Sequence, residues 1–292
     1  MSSHHEEKPL KEKLADAGKR ALGGGLSGAA AMCIQVTTLM WLRTTMNYQY
    51  RYGTTTVQAL KTLYSQGGVI RFYRGYVPAL AQGPLSRFGD TAANVGMLDL
   101  LNSSDVTRNL PTVAKTLAAS TSAALFRIFL MPVDSLKTIM QVEGKGAVAK
   151  LQAKIRAGGP FVLWYGALAS ASATLVGHFP WFFTYNTLQE WIPQQTDYRL
   201  KLVRQAGIGF TASVISDTCS NSLRVIKTYK QAHSSPITYT TAVKDILAVD
   251  GWIGLMGRGL KTRLLVNGIQ GLAFSVLWKF FDDAIKKKTE HH

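Results

Sequence analysis

Side chains that build catalytic and metal sites are scarce in this chain. Its 292 residues include two cysteines, Cys33 and Cys219, and neither belongs to a Cys-x-x-Cys or Cys/His cluster. A zinc site is therefore not expected, and both thiols are expected to be buried. No phosphate-binding Gly-Lys-Ser/Thr loop, His-Glu-x-x-His motif or nucleophile elbow occurs. We expect no metal, no cofactor and no enzymatic activity.

Acidic residues are also few, since 17 Asp and Glu face 33 Lys and Arg and leave a formal net charge of +16. A soluble chain this basic would suggest nucleic acid as a partner. The cations, however, do not form one basic tract. Many lie in 51–74, 145–156 and 230–258, whereas 102–112 and 193–201 carry almost no net charge. This alternation is typical of the positive-inside rule of membrane proteins, and no nucleic-acid partner is expected.

Apolar residues are not spread evenly along the chain. Apolar residues gather in 113–142, 167–192 and 260–281, each long enough to cross the hydrocarbon layer, which takes about 20 helical residues. The mean hydropathy of +0.05 is low for a membrane protein. It indicates polar helix positions that face a partner or a water-filled cavity. Six long helices are predicted, near 22–48, 77–101, 113–142, 167–192, 202–232 and 260–286.

What the chain does have is an internal repeat. The element Pro132-x-Asp134-x-x-Lys137-Thr138 has counterparts in which Lys227-Thr228 and Arg43-Thr44 hold the place of the base and the threonine. An amide follows each base by four residues, and the bases are 94 and 90 residues apart. A glycine element, ending at Gly75, Gly166 and Gly259, repeats with spacings of 91 and 93 residues. Two landmarks with one period indicate three tandem units.

The repeat, the Pro-x-Asp-x-x-Lys motif and the glycine element together resemble the mitochondrial carrier family. The resemblance covers about residues 20–286 and implies an all-α membrane protein of the mitochondrial inner membrane. Six transmembrane helices would form three two-helix repeats with pseudo-threefold symmetry, and short amphipathic helices would join each pair. The expected segments are a charged N-terminus, three carrier repeats and a C-terminal tail, at 1–20, 21–105, 106–197, 198–287 and 288–292. The N-terminus holds several acids and resembles neither a secretory signal nor a transit peptide.

The resemblance also implies alternating access between two gates, with Pro132 as a helix kink. At the matrix gate the expected residues are Arg43, Asp134, Lys137, Arg224 and Lys227. The family's acid position holds Met40, Asp134 and Arg224, so one acid remains among the bases and three ion pairs cannot form. Asp134 could pair with Arg43 or with Lys227, while Arg224 would repel another base unless an anion lay between them. The opposite gate falls on Asn186, Gln189, Lys279 and Asp282.

Further polar residues are candidates for contact with a substrate in a central cavity. The resemblance points to even-numbered helices, and the general scarcity of charges in membrane helices points to the ionisable residues. The candidates are Gln82, Arg87, Arg127, Thr174, His178, Asp217 and Asn267. Arg127 and Asp217 occupy the same repeat position, ten residues before the motif base, so an Arg127–Asp217 pair is conceivable.

Two functions follow from these patterns. The first is an inner-membrane carrier that moves a small anion, because basic residues predominate near the expected cavity. The second is a carrier-fold subunit that no longer transports and docks on a larger inner-membrane complex, because both gates have lost acids. Expected partners are the anionic substrate, membrane lipid, with cardiolipin as a candidate at the loop glycines and helix N-termini, and, on the second interpretation, subunits of that complex.

Overall fold

The chain was analysed as a computed structural model that describes residues 32–103 and 105–271. These residues are mostly helical, and no strand occurs among them. The predicted 1–20 segment, the start of the first helix, the end of the last helix, Lys279 and Asp282 lie outside this range. The helices are α1 (32–52), α2 (Thr56–Ser65), α3 (Gly68–Phe72), α4 (Tyr76–Ser103), α5 (Asp105–Arg108), α6 (Thr112–Phe129), α7 (Met131–Glu143), α8 (Ala147–Gly158), a 3-10 turn (Pro160–Trp164), α9 (Ala167–Trp191), α10 (Tyr198–Ala232), α11 (Tyr239–Gly257) and α12 (260–271).

Local sequence explains where several helices begin. The Thr55 side chain and Gln58 form a reciprocal capping box at the start of α2. The Asp197 carboxylate accepts the backbone N–H groups of Arg199 and Leu200 and so starts α10. Thr238 caps α11 in the same way. These side chains satisfy amides that a helix N-terminus otherwise leaves unpaired.

The predicted third long helix is broken rather than continuous. Its two parts, Ala114–Phe129 and Met131–Glu143, are inclined by 64° to each other. Pro132 lies in the first turn of α7, directly after the break at Leu130. A proline inside a helix lacks the N–H donor and clashes with the preceding turn. α1 and α10 hold Thr38 and Ser222 at the matching positions, and both continue through them without a break.

The long helices pack in sequence around one assembly, with the most extensive contacts between α9 and α10, α4 and α6, and α6 and α9. α9 and α10 approach closely where Gly177 faces Ser216, whose hydroxyl donates to the Gly177 carbonyl oxygen at 2.7 Å. A Cβ at Gly177 would lie 3.0 Å from that hydroxyl oxygen. Small residues at such a point allow the two helices to touch.

Each loop segment also reaches the C-terminal end of another long helix. The Arg71 guanidinium donates to the carbonyl oxygens of Gln141 and Val142 at the end of α7, at 2.8 and 2.7 Å. Lys154 of α8 and Arg258, after α11, are the corresponding buried cations at the ends of α10 and α1. Cations suit these places because the last carbonyl groups of a helix have no partner within it.

The repeated glycines lie at the same three junctions. Gly75, Gly166 and Gly259 have φ of +85°, +87° and +65°, a region that favours glycine. A Cβ at Gly75 or Gly166 would lie 3.0 or 3.2 Å from the carbonyl oxygen of Lys137 or Lys227, respectively. At Gly259 it would lie 3.2 Å from the Met46 carbonyl oxygen. The glycines therefore allow the start of α4, α9 and α12 to touch α7, α10 and α1.

Few helices resemble membrane spans by length and composition alone. Among the described residues, Pro160–Trp191 is long and apolar enough, and the bent pair formed by α6 and α7 also qualifies if it counts as one span. These are two of the three predicted apolar stretches, and of the third, 260–281, the structure describes 260–271. α1, α4 and α10 do not qualify, because their polar residues interrupt the apolar ones.

The two cysteines contradict the expectation of buried thiols. Cys33 in α1 and Cys219 in α10 are both exposed. Helices of a single-layer assembly are covered by protein on only part of their circumference. A small apolar residue in such a helix is therefore not necessarily enclosed.

Candidate functional site: a basic cavity between the helices

A cavity of about 320 Å³ lies between the long helices. α1, α4, α6, α7, α10 and α12 contribute to its wall, whereas no described residue of α9 does. Among the described side chains that line it, six are cationic and one is a carboxylate. The charged lining residues are Arg43, Arg127, Asp134, Lys137, Arg224, Lys227 and Arg263. The described lining carries an excess of positive charge, so the cavity would attract anions.

The carboxylate of Asp134 holds one end of the cavity. It accepts Lys137 at 2.7 Å and Lys227 at 2.6 Å, and it is only 6% exposed. The Gln231 amide, four residues after Lys227, donates to the same carboxylate at 3.3 Å. Asp134 therefore pairs with Lys227, one of the two partners considered from sequence, and also with Lys137 of its own helix.

Arg43 is engaged elsewhere. Its guanidinium donates to the Gln270 side-chain oxygen of α12 at 2.9 Å. Lys137 makes a similar contact with Gln82 of α4 at 3.1 Å. The amides after the bases are joined too, since Asn47 donates to Gln141 at 2.5 Å. Apart from the Asp134 cluster, bonds of cations to neutral amides link the helices at this end.

The conceivable Arg127–Asp217 pair is wrong. The Asp217 carboxylate, 4% exposed, accepts Arg263 at 2.7 Å and also bonds the Asn267 amide. Arg263 and Asn267 are four residues apart in α12 and so lie on one face of it, where a single acid on α10 reaches both. Equivalent repeat positions place Arg127 and Asp217 at the same point along their helices. Which side chains pair, however, depends on how each helix is rotated about its own axis.

The other predicted cavity residues divide into two groups. Gln82, Arg127 and Asn267 line the cavity. Thr174 and His178 of α9 do not: the Thr174 hydroxyl donates to the Ser170 carbonyl oxygen, and His178 Nδ1 lies 2.5 Å from the Ser120 hydroxyl. Both are bonded within the helix assembly. The Arg87 side chain lies outside the described part of the structure.

The predicted opposite-side gate is described only in α9. Asn186 is exposed there. The Gln189 side chain donates to Gln205 at 2.7 Å and accepts Arg204 at 2.5 Å. Arg204 also donates to the carbonyl oxygen of Ile192. Gln189 thus joins α9 to the start of α10, through two α10 residues that sequence reasoning missed.

Sequence reasoning also missed Gln270, Tyr50 and the contribution of Arg263 to the cavity. The Tyr50 hydroxyl donates to Asn221 at 3.2 Å and lies against Arg263. Helical spacing offered one signal for two of them, since Arg263, Asn267 and Gln270 fall on one face of α12. Tyr50 follows its motif base by seven residues, which returns it to the same face of α1 after two turns.

The described residues thus form a helical assembly around a basic cavity. The model of the family described as mitochondrial carrier protein matches residues 14–102 and 108–196, which is more than half of the chain. The chain belongs to the mitochondrial carrier family, whose members are solute transporters of mitochondrial membranes.

A mitochondrial carrier-like protein of Acanthamoeba polyphaga mimivirus is a distant relative. The two chains are 23% identical over 165 residues. The matched region is 56% of this chain and 64% of the viral protein, so the similarity spans less than two thirds of that relative's length.

Proposed function

We propose that this protein is a multi-pass carrier of the mitochondrial inner membrane that exchanges a small anionic metabolite by alternating access. The observation that carries the proposal is the cavity, whose described lining holds six cations and one carboxylate. Membership of a transporter family supports transport as the activity, and the excess of positive charge in the cavity supports a negatively charged substrate. Gln82, Arg127 and Asn267 line the cavity and would contact that substrate.

The proposed architecture has six membrane-spanning helices in three repeats, 21–105, 106–197 and 198–287. Support comes from the cyclic contacts of the described residues: loop segments of the first, second and third repeats contact α7, α10 and α1, respectively. Glycines at equivalent positions make all three contacts possible. Three identical relations that return to the start are what a pseudo-threefold arrangement requires.

The gate at the Asp134 end would open and close with few ionic bonds. Its described links are the Lys137–Asp134–Lys227 cluster and amide bonds such as Arg43 with Gln270. Alternating access needs two states that differ by only a few kcal/mol, about the range that substrate binding can shift. One carboxylate and several neutral partners satisfy that requirement without three protein ion pairs.

Transport is tested by counter-exchange in liposomes. Purified protein is reconstituted into vesicles preloaded with a dicarboxylate, a tricarboxylate, phosphate or a nucleotide, and uptake of the same labelled anion is measured. We expect exchange of at least one anion and none of a cationic amino acid such as lysine. The variant Arg127→Gln should lower that exchange about tenfold or more, as loss of one charge-assisted contact implies. The exposed Arg199→Gln is the matched control and should retain it.

A folded protein that exchanges no member of the panel would contradict the transport proposal and favour a structural subunit. That second function has its own support, because the single gate carboxylate is held by two lysines at once. Native electrophoresis of gently solubilised mitochondrial membranes separates the two. Migration only as a free protein of about the chain mass of 31.9 kDa would exclude the subunit.

A further inference from the structure

Four arginines of the cavity wall interact with one another. They are Arg43 of α1, Arg127 of α6, Arg224 of α10 and Arg263 of α12, and all four line the cavity. Arg263 is close enough to both Arg43 and Arg224 for a direct electrostatic interaction. Arg224 also interacts with Arg127. Like charges held this close repel, so the cluster needs negative charge nearby.

The described protein groups supply only part of that charge. Asp217 pairs with Arg263 at 2.7 Å. Arg43 is bonded to the Gln270 amide at 2.9 Å, and Arg224 to the Ser220 hydroxyl at 3.3 Å. Neither Arg43 nor Arg224 has a carboxylate within salt-bridge distance among the described residues. Each guanidinium carries five N–H donors in a planar fork, so most of their donors are available to a ligand.

The position of Arg224 sharpens this imbalance. It occupies the place in the third repeat at which the second repeat has Asp134. Asp134 accepts two lysines and the Gln231 amide, and thereby provides the negative charge for its part of the cavity. In the third repeat an arginine stands there instead. Among the described residues, the acid that acts on Arg224 is Asp217, which is already paired with Arg263, so a bound anion would complete the charge balance of the arginines.

We infer that Arg43, Arg224 and Arg263 form a binding site for a small organic polyanion, whose carboxylate or phosphate groups bridge the arginines in place of a missing acidic side chain. The inference deepens the proposed function and rests on it in one respect: the bound polyanion is the transported solute. Guanidinium forks bind both oxyanion groups in bidentate geometry, which is why the shared chemistry and not one compound is named. We expect a ligand with two or more oxyanion groups to bind best, because separate groups can reach separate arginines.

The site is tested by ligand-induced stabilisation of the purified full-length protein in detergent. Thermal unfolding is followed while citrate, succinate, inorganic phosphate or acetate is added at an ionic strength held constant with sodium chloride. Binding to the folded state raises the unfolding temperature with concentration. We expect citrate or succinate to stabilise the protein more than acetate. If inorganic phosphate alone acted, the ligand would be the free ion and the assignment to an organic polyanion would be wrong.

Variants separate this site from general charge. Arg224→Gln and Arg43→Gln should each weaken the apparent affinity about tenfold or more, whereas Arg199→Gln, an equal loss of charge on the exposed start of α10, should leave it unchanged. Arg224→Asp places the acid inside the cluster, so this variant should be at least as stable as the unaltered protein without ligand and should no longer respond to citrate. If Arg224→Asp does not fold, Arg224→Lys, which keeps the charge and loses the fork, should still bind more weakly.

The outcomes distinguish the site from the transport activity. Stabilisation that depends on Arg224, without exchange in liposomes, would support the site and contradict the carrier function. Exchange that Arg224→Gln leaves unchanged in both KM and rate would support the carrier and overturn the site. An unaltered response of Arg43→Gln and Arg224→Gln to citrate would also overturn it.

Discussion

At the scale of single residues, buried cations hold the ends of the long helices. Lys154 is 3% exposed and donates to the carbonyl oxygens of Lys230, Gln231 and His233, at 3.2, 3.0 and 2.9 Å. Arg71 does the same at the end of α7. The two differ in one physical respect, because a lysine can lose its proton in an accessible pH range and an arginine cannot.

Lys154 should therefore make stability depend on pH. Burial, reinforced by nearby Lys230, lowers the pKa of Lys154 from 10.5 to about 8. Between these values the unfolded chain holds a proton that the folded protein has released, so stability rises as the pH rises from about 8 to 10.5. The size of the rise should be on the order of 1–3 kcal/mol. Thermal unfolding of the detergent-solubilised protein at intervals across pH 7 to 11 measures it.

The comparison that isolates this effect is between two lysine variants of the same loop. Lys154→Met should remove the rise, while Lys145→Met, at an exposed position, should keep it. A curve for Lys154→Met that parallels the unaltered protein would show that Lys154 stays protonated, held by its three carbonyl partners.

Residue pairing is also where prediction from sequence was weakest. The repeat predicted Asp134, Lys137 and Lys227 as members of one gate, and in the structure these side chains meet. It could not give the partner of Asp217, because a helix rotated by one residue turns through about 100° and presents a different side chain. Gln270, which carries no charge and belongs to no motif, could not be identified as the partner of Arg43 at all.

At the scale of elements, sequence predicted much more. The bounds expected for the second, fourth and fifth long helices agree with α4, α9 and α10 to within about four residues. Apolar runs and punctuating glycines determine such bounds locally. The bend of 64° before Pro132 likewise follows from one residue, since proline acts on its own preceding turn.

The glycine junctions offer a test at this scale. Gly75 has φ of +85°, and a Cβ there would lie 3.0 Å from the Lys137 carbonyl oxygen of α7. Gly68 has a similar φ of +61°, with nothing within 4 Å of a Cβ. Both Gly→Ala variants should lose about 1–2 kcal/mol to backbone strain. Gly75→Ala should lose a further ~1–3 kcal/mol, because α7 must shift to admit the methyl group.

Thermal unfolding of the two glycine variants side by side measures the difference. The strain is common to both, so any excess loss in Gly75→Ala reports the contact between α4 and α7. Equal losses would mean that α7 moves away freely and that this junction does not hold the repeats together.

At the scale of the whole molecule, charge and contacts describe the same asymmetry. The basic loop segments lie at the end where Arg71, Lys154 and Arg258 tie the C-termini of α7, α10 and α1. The nearly neutral joins 102–112 and 193–201 belong to the other ends of the helices. Basic loops remain on the side from which a membrane protein inserts. By length and composition alone, α9 qualifies as a membrane span and α10 does not. Whether α10 crosses the membrane therefore decides between a multi-pass topology and a smaller number of spans.

Orientation can be measured with single cysteines placed in three exposed loops. In a background with Cys33→Ser and Cys219→Ser, the variants Lys145→Cys, Gln194→Cys and Ser234→Cys are exposed to a membrane-impermeant maleimide in intact mitoplasts. If α9 and α10 both cross, Gln194→Cys reacts at once, and Lys145→Cys and Ser234→Cys react only after detergent is added.

Equal labelling of Lys145→Cys and Gln194→Cys would mean that α9 does not cross. Equal labelling of Gln194→Cys and Ser234→Cys would mean that α10 does not cross. The polar α10 residues Asp217, Arg224 and Lys227 lie in the cavity wall or pair with it. In a helix that does not cross, they would have no reason to be shielded from water by neighbouring helices. The polar face of α10 is compatible with a membrane span only because it lies against the cavity and not against lipid. The labelling of Ser234→Cys therefore tests both the position of the cavity within the membrane and the topology.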